Sequence, residues 1–521
     1  MTEQKKGSPN TRDQIQESTS TQPRPLGTEP TQRSSSDMAR RDFLRLGVQA
    51  TALLPLAGML PACSSPDPNK EPKTRPKDSQ DDVKPGDIDK AKQVALDPPS
   101  IKKEIALFPL GIQAGAMTDS KVTLWGYTTD EKPKKLRLWR ESTEKGKIAL
   151  AQEKELTPKD GYFKEDIEGL APGTWYNYAF FQENEKRSEI GRFKTALHKD
   201  SQKPITIAAT ACTKFNFMPY TSLETTATKD YDIFLHLGDF SYNDGSKNTA
   251  DYRAKWHQTL KDKGYQAALP KAGQYVTWDD HELANDSEID NLTPEQRKAG
   301  VDAFFEHTVT KRIDGDRFWT SYRWGKTAEI IVLDCRSERI HESRETKDAT
   351  YIGKEQMAFL KKTLKETPCH FKIIMNSVPI TDWDKTLLGK AAVADRWQGY
   401  PAQRKDILSF IEDNKIGNVW WLSGDMHIGS VGKIDPEGPH AKMYEILVGP
   451  GAQVNPITFL YEAASKEDKE KYFPAKQFDY FSGDFAATLL TFDPWKNTVH
   501  VRFIHHETRK TLFEKTLKYG T

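Results

Sequence analysis

Between residues 205 and 427, short apolar runs end in polar residues and are separated by amphipathic stretches. Apolar residues at helical spacing predict helices over Lys354–Lys365 and Ala402–Asp413. Short apolar strands that alternate with helices predict an α/β layered fold for residues 200–521. The predicted strands are Ile205–Cys212, Asp232–Asp239, Tyr275–Asp280, Glu329–Arg336, Phe371–Pro379 and Asn418–His427.

Residues 104–199 have a different pattern, in which short strands recur about every ten residues between Gly/Pro turns. Lys121–Thr128 alternates along its length, and Gly169–Phe181 is a turn followed by an aromatic-rich strand. This spacing predicts a small β-sandwich. The turn and tyrosines of Leu170–Tyr178 resemble fibronectin-type-III-like domains, so we expect a structural role for this region.

The first hundred residues are polar and explain a hydrophobic fraction of only 36%. Residues 1–37 are rich in Ser, Thr, Gln and Pro, a composition typical of disorder. Residues 64–103 are rich in Pro, Lys and Asp without an apolar period, which predicts a flexible tether. The segment between them carries an Arg pair, the weakly apolar run Leu46–Leu60 and a cysteine. The domain prediction is therefore 1–63, 64–103, 104–199 and 200–521.

Residues 38–63 have the basic start, apolar stretch and small residues of an export signal. Arg40 and Arg41 resemble the twin-arginine consensus, and Leu60–Cys63 resembles a lipobox, in which Cys63 is lipidated. These resemblances imply export by the twin-arginine machinery, membrane attachment through an N-terminal lipid anchor, and a periplasmic or cell-surface location. The alternative is a short buried helix that starts at Asp42.

Charge and cysteine content exclude two classes of protein. The 76 Lys and Arg against 75 Asp and Glu give a net charge of +1, without the basic excess of a dedicated nucleic-acid binder. Four cysteines in 521 residues do not make a disulfide-stapled scaffold.

Potential metal ligands or proton carriers follow each of the six predicted strands. In α/β sheets the ligand site lies at the carboxyl ends of the strands, so we expect these side chains to converge. Carboxylates there are suited to binding cations, and a histidine beside them is suited to proton transfer. The residues at these ends are Cys212, Asp239, Asp280, His281, Asp334, Asn376, Asp425 and His427.

The order Gly238-Asp239, Asp279–Glu282, Gly424–His427 resembles the ordered motifs of calcineurin-like metallophosphoesterases. Asp280 stands where that superfamily has Asn, and Asp425 where it has His. Those departures, together with HLGDFSY, WDDHELANDS and DRWQGYP, resemble the alkaline phosphatase D (PhoD) family. The resemblance covers residues 104–521 and implies a four-layer α/β/β/α sandwich, preceded by a small all-β fibronectin-III-like domain.

The resemblance also implies Fe³⁺ and Ca²⁺ as cofactors. Cys212 and Tyr242 would bind the iron, and Asp239 would bridge iron and calcium. A thiolate and a phenolate are anionic donors suited to Fe³⁺, although a lone cysteine is more often a small buried hydrophobe. The remaining implied ligands are Asp280, Asn285, Asp425 and His427.

His281 is the candidate general acid that protonates the leaving alkoxide. Arg336 would either hold the phosphate bidentately or pair with Asp334 in a structural role. Asn376 is a further candidate contact for metal or phosphate. Trp397 and Tyr400 would line the substrate entrance or form a packed aromatic loop.

The leading hypothesis is an exported, lipid-anchored phosphatase or phosphodiesterase that hydrolyses small phosphate esters with a metal-activated water. A second hypothesis is a phospholipase D-like phosphodiesterase that acts on membrane phospholipids. A third is a surface lipoprotein that binds polysaccharide or protein without catalysis. The complete set of candidate ligands favours an enzyme over the third.

Overall fold

The computed structural model describes residues 92–142, 144–286 and 291–520. The predicted export signal, with Arg40, Arg41 and Cys63, lies outside the described residues, as does the predicted tether up to residue 91. Among the described residues, no helix combines the length and apolar character needed to cross a bilayer.

The N-terminal region is built from β-strands, as its pattern predicts. One sheet has the strand order β1-β6-β5-β8-β9-β2, with β10 paired to β8. Phe180 of β8 stacks on Phe163 of β7 with ring centroids 5.1 Å apart, which joins this sheet to a second layer made of β3, β4 and β7. The strands are β1 (Lys92–Ala95), β2 (Lys102–Lys103), β3 (Ile112–Gly115), β4 (Lys121–Tyr127), β5 (Lys134–Glu141), β6 (Lys147–Leu156), β7 (Tyr162–Glu168), β8 (Trp175–Gln182), β9 (Lys186–Arg187) and β10 (Gly191–Lys194).

The all-β region begins before the predicted boundary at residue 104. Residues 92–103, assigned to the tether from their composition, contain β1 and β2. β1 pairs antiparallel with β6, and β2 pairs parallel with β9, so both lie at edges of the first sheet. Edge strands need few buried side chains of their own, which is why this segment has no apolar period.

Two further sheets are flanked by helices, and all their strands except β3, β4 and β7 lie beyond residue 204. The nine-stranded sheet has the order β23-β22-β21-β11-β12-β13-β3-β4-β7, and the seven-stranded sheet has the order β14-β15-β16-β17-β19-β18-β20. The strands are β11 (Ile205–Thr210), β12 (Ile233–Leu237), β13 (Gly273–Thr277), β14 (Thr320–Trp324), β15 (Ala328–Val332), β16 (Phe371–Met375), β17 (Val419–Ser423), β18 (Gly429–Lys433), β19 (Tyr444–Leu447), β20 (Phe478–Ser482), β21 (Ala486–Asp493), β22 (Thr498–His505) and β23 (Thr511–Leu517).

The two sheets face each other and helices cover their outer sides, which gives the predicted four-layer α/β/β/α sandwich. Phe492 of β21 contacts the rings of Phe371 and Trp420 in the opposite sheet. The predicted helices are confirmed as α5 and α7. The helices are α1 (Thr221–Ala227), α2 (Thr249–Leu260), α3 (Lys263–Ala268), α4 (Pro294–His307), α5 (Lys354–Glu366), α6 (Lys385–Ala394, interrupted at Gly389), α7 (Pro401–Asp413), α8 (Pro456–Ala463) and α9 (Lys466–Tyr472).

The N-terminal region shares a sheet with the α/β region, a connection that the sequence pattern did not predict. β3 pairs parallel with β13 through Gly115 and Gln274. A Cβ atom at Gly115 would lie 2.1 Å from Val309 Cγ2 and 2.7 Å from Gln274 O, so this close approach requires glycine. Buried Gln274 Nε2 donates to Gln113 Oε1 at 2.7 Å, and Gln113 Nε2 donates to the carbonyl of His307 at 2.8 Å.

Parallel pairing brings the functional strand ends to one edge of each sheet. β11, β12 and β13 run parallel to one another, as do β15, β16, β17 and β19. The residues within these strands are buried in one apolar core. The first polar residues after each strand are therefore the first that can lie outside this core. The loops after these strands therefore meet between the facing sheets.

Candidate metal centre

The turns after the strands hold candidate ligands in an unusual backbone conformation. Cys212, Asp239, Asp425 and His427 have φ values of 58°, 56°, 61° and 52°. The left-handed region is unfavourable for residues with a Cβ atom and costs about 1 kcal/mol or more at each. This backbone conformation turns the chain sharply after each strand and directs the four side chains towards one point.

Asp239 belongs to both groups of ligand atoms that the described residues bring together. In the first, one ligand atom each from Cys212, Asp239 and His427 lies within 4.8 Å of the others. In the second, Asp239, Asp280 and His281 meet the same criterion. The shared carboxylate is placed to bridge two cations, as the resemblance implies.

Tyr242 completes the first group. Its hydroxyl donates to Asp239 Oδ2 at 3.0 Å and lies 3.4 Å from His427 Nε2. We call Cys212, Asp239, Tyr242, Asp280, His281, Asp425 and His427 the ligand cluster.

Burial makes the anionic forms of Cys212, Asp239 and Tyr242 unfavourable without a compensating positive charge. Burial, reinforced by Asp239 and Asp279, raises the pKa of the Cys212 thiol well above its usual range. Burial, followed by Asp239 and Cys212, raises the pKa of Tyr242 in the same way, and burial also raises the pKa of Asp239. Once deprotonated, the thiol and the phenol are strongly donating anionic ligands suited to Fe³⁺, and carboxylate oxygens suit Ca²⁺, so the residues fit the implied metals.

His281, a member of the ligand cluster, has its imidazole held on two sides. Its Nδ1 is 2.7 Å from Asp244 Oδ1, and its ring packs on Tyr242 with centroids 4.0 Å apart. Burial lowers the pKa of His281, but the carboxylates of Asp239, Asp280 and Asp244 outweigh it and raise the pKa to about 10. A protonated imidazole held by Asp244 is the state that a general acid requires.

Glu282 organises the ligand loops, a role that the sequence analysis missed. Its Oε2 accepts from the amides of Asp239 at 3.1 Å and Asp279 at 2.9 Å, and its Oε1 accepts from the amide of Phe240 at 2.6 Å. It is fully buried. The sequence signal for this role is the position of Glu282 directly after Asp280-His281. The neighbouring residues do not indicate that its carboxylate will bind the turn that follows β12.

Arg336 does not match either role predicted for it. Its Nε donates to Asp279 Oδ1, its Nη1 donates to Asp395 Oδ2 at 2.8 Å, and its Nη2 donates to Asp425 Oδ1 at 3.2 Å. Asp334 instead accepts from the backbone amide of Arg336 at 3.0 Å. Because the guanidinium binds carboxylates and its side chain is only 1% exposed, it holds the ligand loops together.

Two further predicted site residues lie elsewhere. Asn285 is exposed and donates to the neighbouring Asp286 at 2.6 Å, so the structure places it outside the buried ligand cluster. Asn376 is fully buried, and its Oδ1 accepts from Trp397 Nε1 at 2.9 Å and from Cys335 Sγ at 3.1 Å. Its Nδ2 donates to the carbonyl of Val378 at 2.5 Å, so Asn376 is a structural residue.

The DRWQGYP segment forms a packed loop rather than an entrance lined by aromatic rings. Trp397 and Tyr400 are both fully buried and contact the ring of Tyr351. Asp395 and Arg396 are the members of this segment that face the site. Arg396 Nη2 donates to Asp425 Oδ2 at 2.5 Å, opposite the oxygen that Arg336 contacts.

Comparisons with known proteins agree with this geometry. The model of the PhoD-like phosphatase family matches residues 207–500, and the model of the PhoD-like phosphatase N-terminal domain matches residues 93–197. Alkaline phosphatase D of Bacillus subtilis (strain 168) is 27% identical over 369 residues, which cover 62% of this chain and 61% of the relative. The chain therefore matches less than two thirds of the length of that relative.

Two solved structures share the fold. A structure of PhoD superposes with a TM-score of 0.66 at 20% identity, and covers 79% of this chain and 89% of its own. Purple acid phosphatase PPD1 from yellow lupin superposes with a TM-score of 0.54 at 12% identity, over 79% of this chain and 75% of its own. The family models span both regions of the described structure, so the chain belongs to the PhoD-like phosphatase family.

Proposed function

We propose that this protein is a metal-dependent phosphoric ester hydrolase with Fe³⁺ and Ca²⁺ in the ligand cluster. The observation that carries the proposal is the position of Asp239 in both groups of ligand atoms. Cys212, Asp239, Tyr242 and His427 would hold the iron, and Asp239, Asp280 and Asp425 would hold the calcium. When bound, such cations lower the pKa of a coordinated water and neutralise phosphoryl charge.

The residues of the chain supply orientation and proton transfer. Glu282 and Arg336 fix the loops that carry the carboxylates, so the ligands need little reorganisation. His281, oriented by Asp244 through Nδ1, presents Nε2 to the leaving oxygen and donates the proton that the alkoxide requires. Asp244 stabilises the imidazolium before transfer.

Metal analysis and activity together test this proposal. Purified protein is expected to contain iron and calcium and to hydrolyse p-nitrophenyl phosphate or bis-p-nitrophenyl phosphate, and a chelator is expected to abolish the activity. Asp244→Asn should lower kcat and shift the alkaline limb of the pH profile to lower pH, because Asp244 helps to keep His281 protonated, whereas Asp413→Asn, at the C-terminal end of α7, should leave both unchanged. A metal-free protein that hydrolyses both esters at the same rate would contradict the proposal.

We further propose that the protein is exported by the twin-arginine route and anchored at the membrane through Cys63. The support is the resemblance of residues 40–63 to such signals. Replacing Arg40 and Arg41 with lysines should retain the protein in the cytoplasm. Cys63→Ser should move the exported protein from the membrane fraction to the soluble fraction. A Cys63→Ser protein that stays membrane-bound would exclude the lipid anchor.

One observation favours membrane phospholipids as a second class of substrate. Phe459 and Leu460 on α8 are 62% and 63% exposed, although they are large and apolar. The N-cap residue of the same helix, Asn455, donates to the carbonyl of Met426 at 2.7 Å, between Asp425 and His427. An apolar surface of this kind beside a candidate site suits contact with lipid.

The two substrate classes can be separated by one variant. Phe459→Ser should reduce hydrolysis of phosphatidylcholine vesicles while leaving that of p-nitrophenyl phosphate unchanged. Phe459→Leu, which keeps an apolar side chain, is the matched control. If Phe459→Ser lost the same share of activity on both substrates, or lost no activity on vesicles, phospholipids would be excluded and small phosphate esters would remain as the substrates.

A further inference from the structure

Two arginines contact Asp425, and they use their donors differently. All three nitrogens of the Arg336 guanidinium donate to carboxylates, which belong to Asp279, Asp395 and Asp425. The Arg336 side chain is 1% exposed. Arg336 therefore has no nitrogen without an acceptor and no access to the entrance of the site.

One guanidinium nitrogen of Arg396 has no acceptor among the described residues. Its Nη2 donates to Asp425 Oδ2 at 2.5 Å, and its Nη1 donates to the carbonyl of Ala392 at 2.6 Å. Its Nε is buried and has no acceptor among the residues that the structure describes. The side chain is 10% exposed, against 1% for Arg336. A buried guanidinium N–H without an acceptor is costly, and such groups in folded proteins call for an explanation.

Nε, the nitrogen without an acceptor, lies on an edge of the guanidinium that can bind an oxyanion. Nε and Nη2 point to the same side of the planar group and form a fork that matches two oxygens of a phosphate. In Arg396, Nη2 donates to Asp425, whereas buried Nε has no acceptor among the described residues. An oxyanion beside Asp425 would supply the missing acceptor.

The neighbours of Arg396 fix its position. Asp395 on one side accepts from Arg336 at 2.8 Å and from Arg339 at 2.6 Å. Trp397 on the other side is fully buried and donates to Asn376. The backbone of Arg396 is thus held between two anchored residues, so its guanidinium is directed to Asp425 before any ligand arrives.

We propose that Arg396 binds the non-bridging oxygens of the phosphoryl group of the substrate, whereas Arg336 is a positioning residue for the carboxylates. This inference rests on the proposed hydrolase function. It assigns the phosphate contact to the second arginine of the site, in place of the one that the sequence analysis selected.

Orthophosphate binding tests the assignment without requiring turnover. Equilibrium dialysis of radiolabelled orthophosphate against the metal-loaded full chain would give Kd, and competitive inhibition of p-nitrophenyl phosphate hydrolysis would give an independent value. Arg396→Gln is expected to weaken binding about 10- to 100-fold, the range for loss of a charge-assisted hydrogen bond. The KM for the ester should rise with it, and metal content should not change.

Two variants control for folding and charge. Arg396→Lys keeps the charge but not the fork, so its Kd should lie between those of wild type and Arg396→Gln. Arg404→Gln removes a similarly buried arginine whose partner is Asp435, with side chains 14% and 19% exposed, and should leave Kd unchanged. If Arg396→Gln does not fold, as judged by thermal unfolding, Arg396→Lys alone decides, with an increase in Kd expected.

Two results would overturn the assignment. One is orthophosphate binding by Arg396→Gln, or by Arg396→Lys if only that variant folds, as tight as in wild type. The other is a loss of metal in proportion to the loss of binding, which would make Arg396 a positioning residue for Asp425. A wild-type protein that binds orthophosphate through Arg396 but hydrolyses no phosphate ester would instead contradict the proposed function and leave the anion site intact.

Discussion

Two regions beside the nine-stranded sheet bury polar groups, and they satisfy these groups in different ways. The first is the ligand cluster at the ends of β11, β12 and β13. The second, which we call the seam cluster, consists of Tyr162, His257 and His307, where β7 meets α2 and α4. Both clusters contain an imidazole and a phenol in close contact, so residue type alone does not distinguish them.

In the seam cluster the buried groups are neutral and complement each other. The hydroxyl of Tyr162 lies 2.7 Å from His257 Nε2 and 2.9 Å from His307 Nε2, and His307 Nδ1 lies 2.7 Å from the carbonyl of Ala303. Burial lowers the pKa of His257 to about 4 and that of His307 to about 3, so both rings are neutral at pH 7. A network of this kind stabilises the fold, and its polar groups are paired without a ligand.

In the ligand cluster the buried groups oppose one another. In and around this cluster, the carboxylates of Asp239, Asp279 and Asp280 lie close together, and four residues have φ values in the left-handed region. Beside it, Asp279 Oδ2 and Arg396 Nε have no partner among the described residues. The candidate functional site is therefore distinguished by repulsion between buried charges, backbone strain and unpaired polar atoms, and not by burial itself.

The largest expected effect comes from removing the carboxylate common to both ligand groups. Loss of an outer-shell partner of a metal typically costs about 10- to 100-fold, so Asp239→Asn should lower kcat/KM by more than about 100-fold. The metal-free variant should unfold at the same temperature as metal-free wild type or higher, because one of several like charges is gone. Hydrolysis of p-nitrophenyl phosphate and calorimetry check both parts. If Asp239→Asn kept full activity, or if it failed to fold, the ligand cluster would no longer differ from the seam cluster in the way described above.

Glu282→Gln is expected to have the next largest effect, a loss of about 10- to 100-fold in kcat together with weaker metal retention. The glutamate uses both oxygens to bind three backbone amides, whereas glutamine has only one acceptor. Glu338→Gln is the matched control, since Glu338 also binds a backbone amide, that of Gly353, but outside the ligand cluster. Equal losses of kcat in both variants would argue that Glu282 acts only through stability.

Tyr162→Phe should change stability and not chemistry. It removes the hydroxyl that both histidines of the seam cluster contact, and leaving buried polar groups without partners costs about 1–3 kcal/mol. Urea unfolding should show this loss in the free energy of unfolding, with kcat unchanged. A fall in kcat at constant stability would show that the seam cluster takes part in function.

A pH dependence of stability is also expected from the seam cluster. In the unfolded chain the histidines bind protons below about pH 6.5, but in the native state burial delays protonation of His257 to about pH 4 and of His307 to about pH 3. The unfolded state therefore binds more protons in this window, and the free energy of unfolding should fall as the pH falls from 6.5 towards 3. His307→Gln should flatten this dependence when unfolding is measured by urea titration. An unchanged slope would show that His307 is not its source.

The strand and helix pattern predicted the fold class and six of the thirteen strands that the described residues form beyond residue 204. Each predicted strand of the α/β region ends within a few residues of its expected position, because apolar runs and their first polar residue are local signals. For the same reason position marked Cys212, Asp239, Asp280 and His427 as candidates, although Cys212 became a candidate iron ligand only through the family resemblance.

What the sequence could not predict depends on contacts between distant segments. The sequence offered Arg336 as a candidate phosphate contact, and only the fold shows that each nitrogen of its guanidinium donates to a carboxylate. Asn376 resembles the other residues at strand ends, but it packs against Trp397 and Cys335 from other elements. Edge strands β1 and β2 were missed because they depend on partners rather than on their own apolar residues.

The shared sheet has a consequence for the order in which the chain folds. β3 cannot acquire its neighbour β13 until a segment far along the chain has been synthesised, since Gln113 and Gln274, which bond across the junction, are 161 residues apart. Until then, the β3 side of the layer β3-β4-β7 is an open sheet edge. A chain that begins at residue 200 has the complementary problem, because the edge of β13 stays unpaired. Neither half has a finished sheet alone, so the N-terminal region is a structural part of the α/β fold and not an appendage to it.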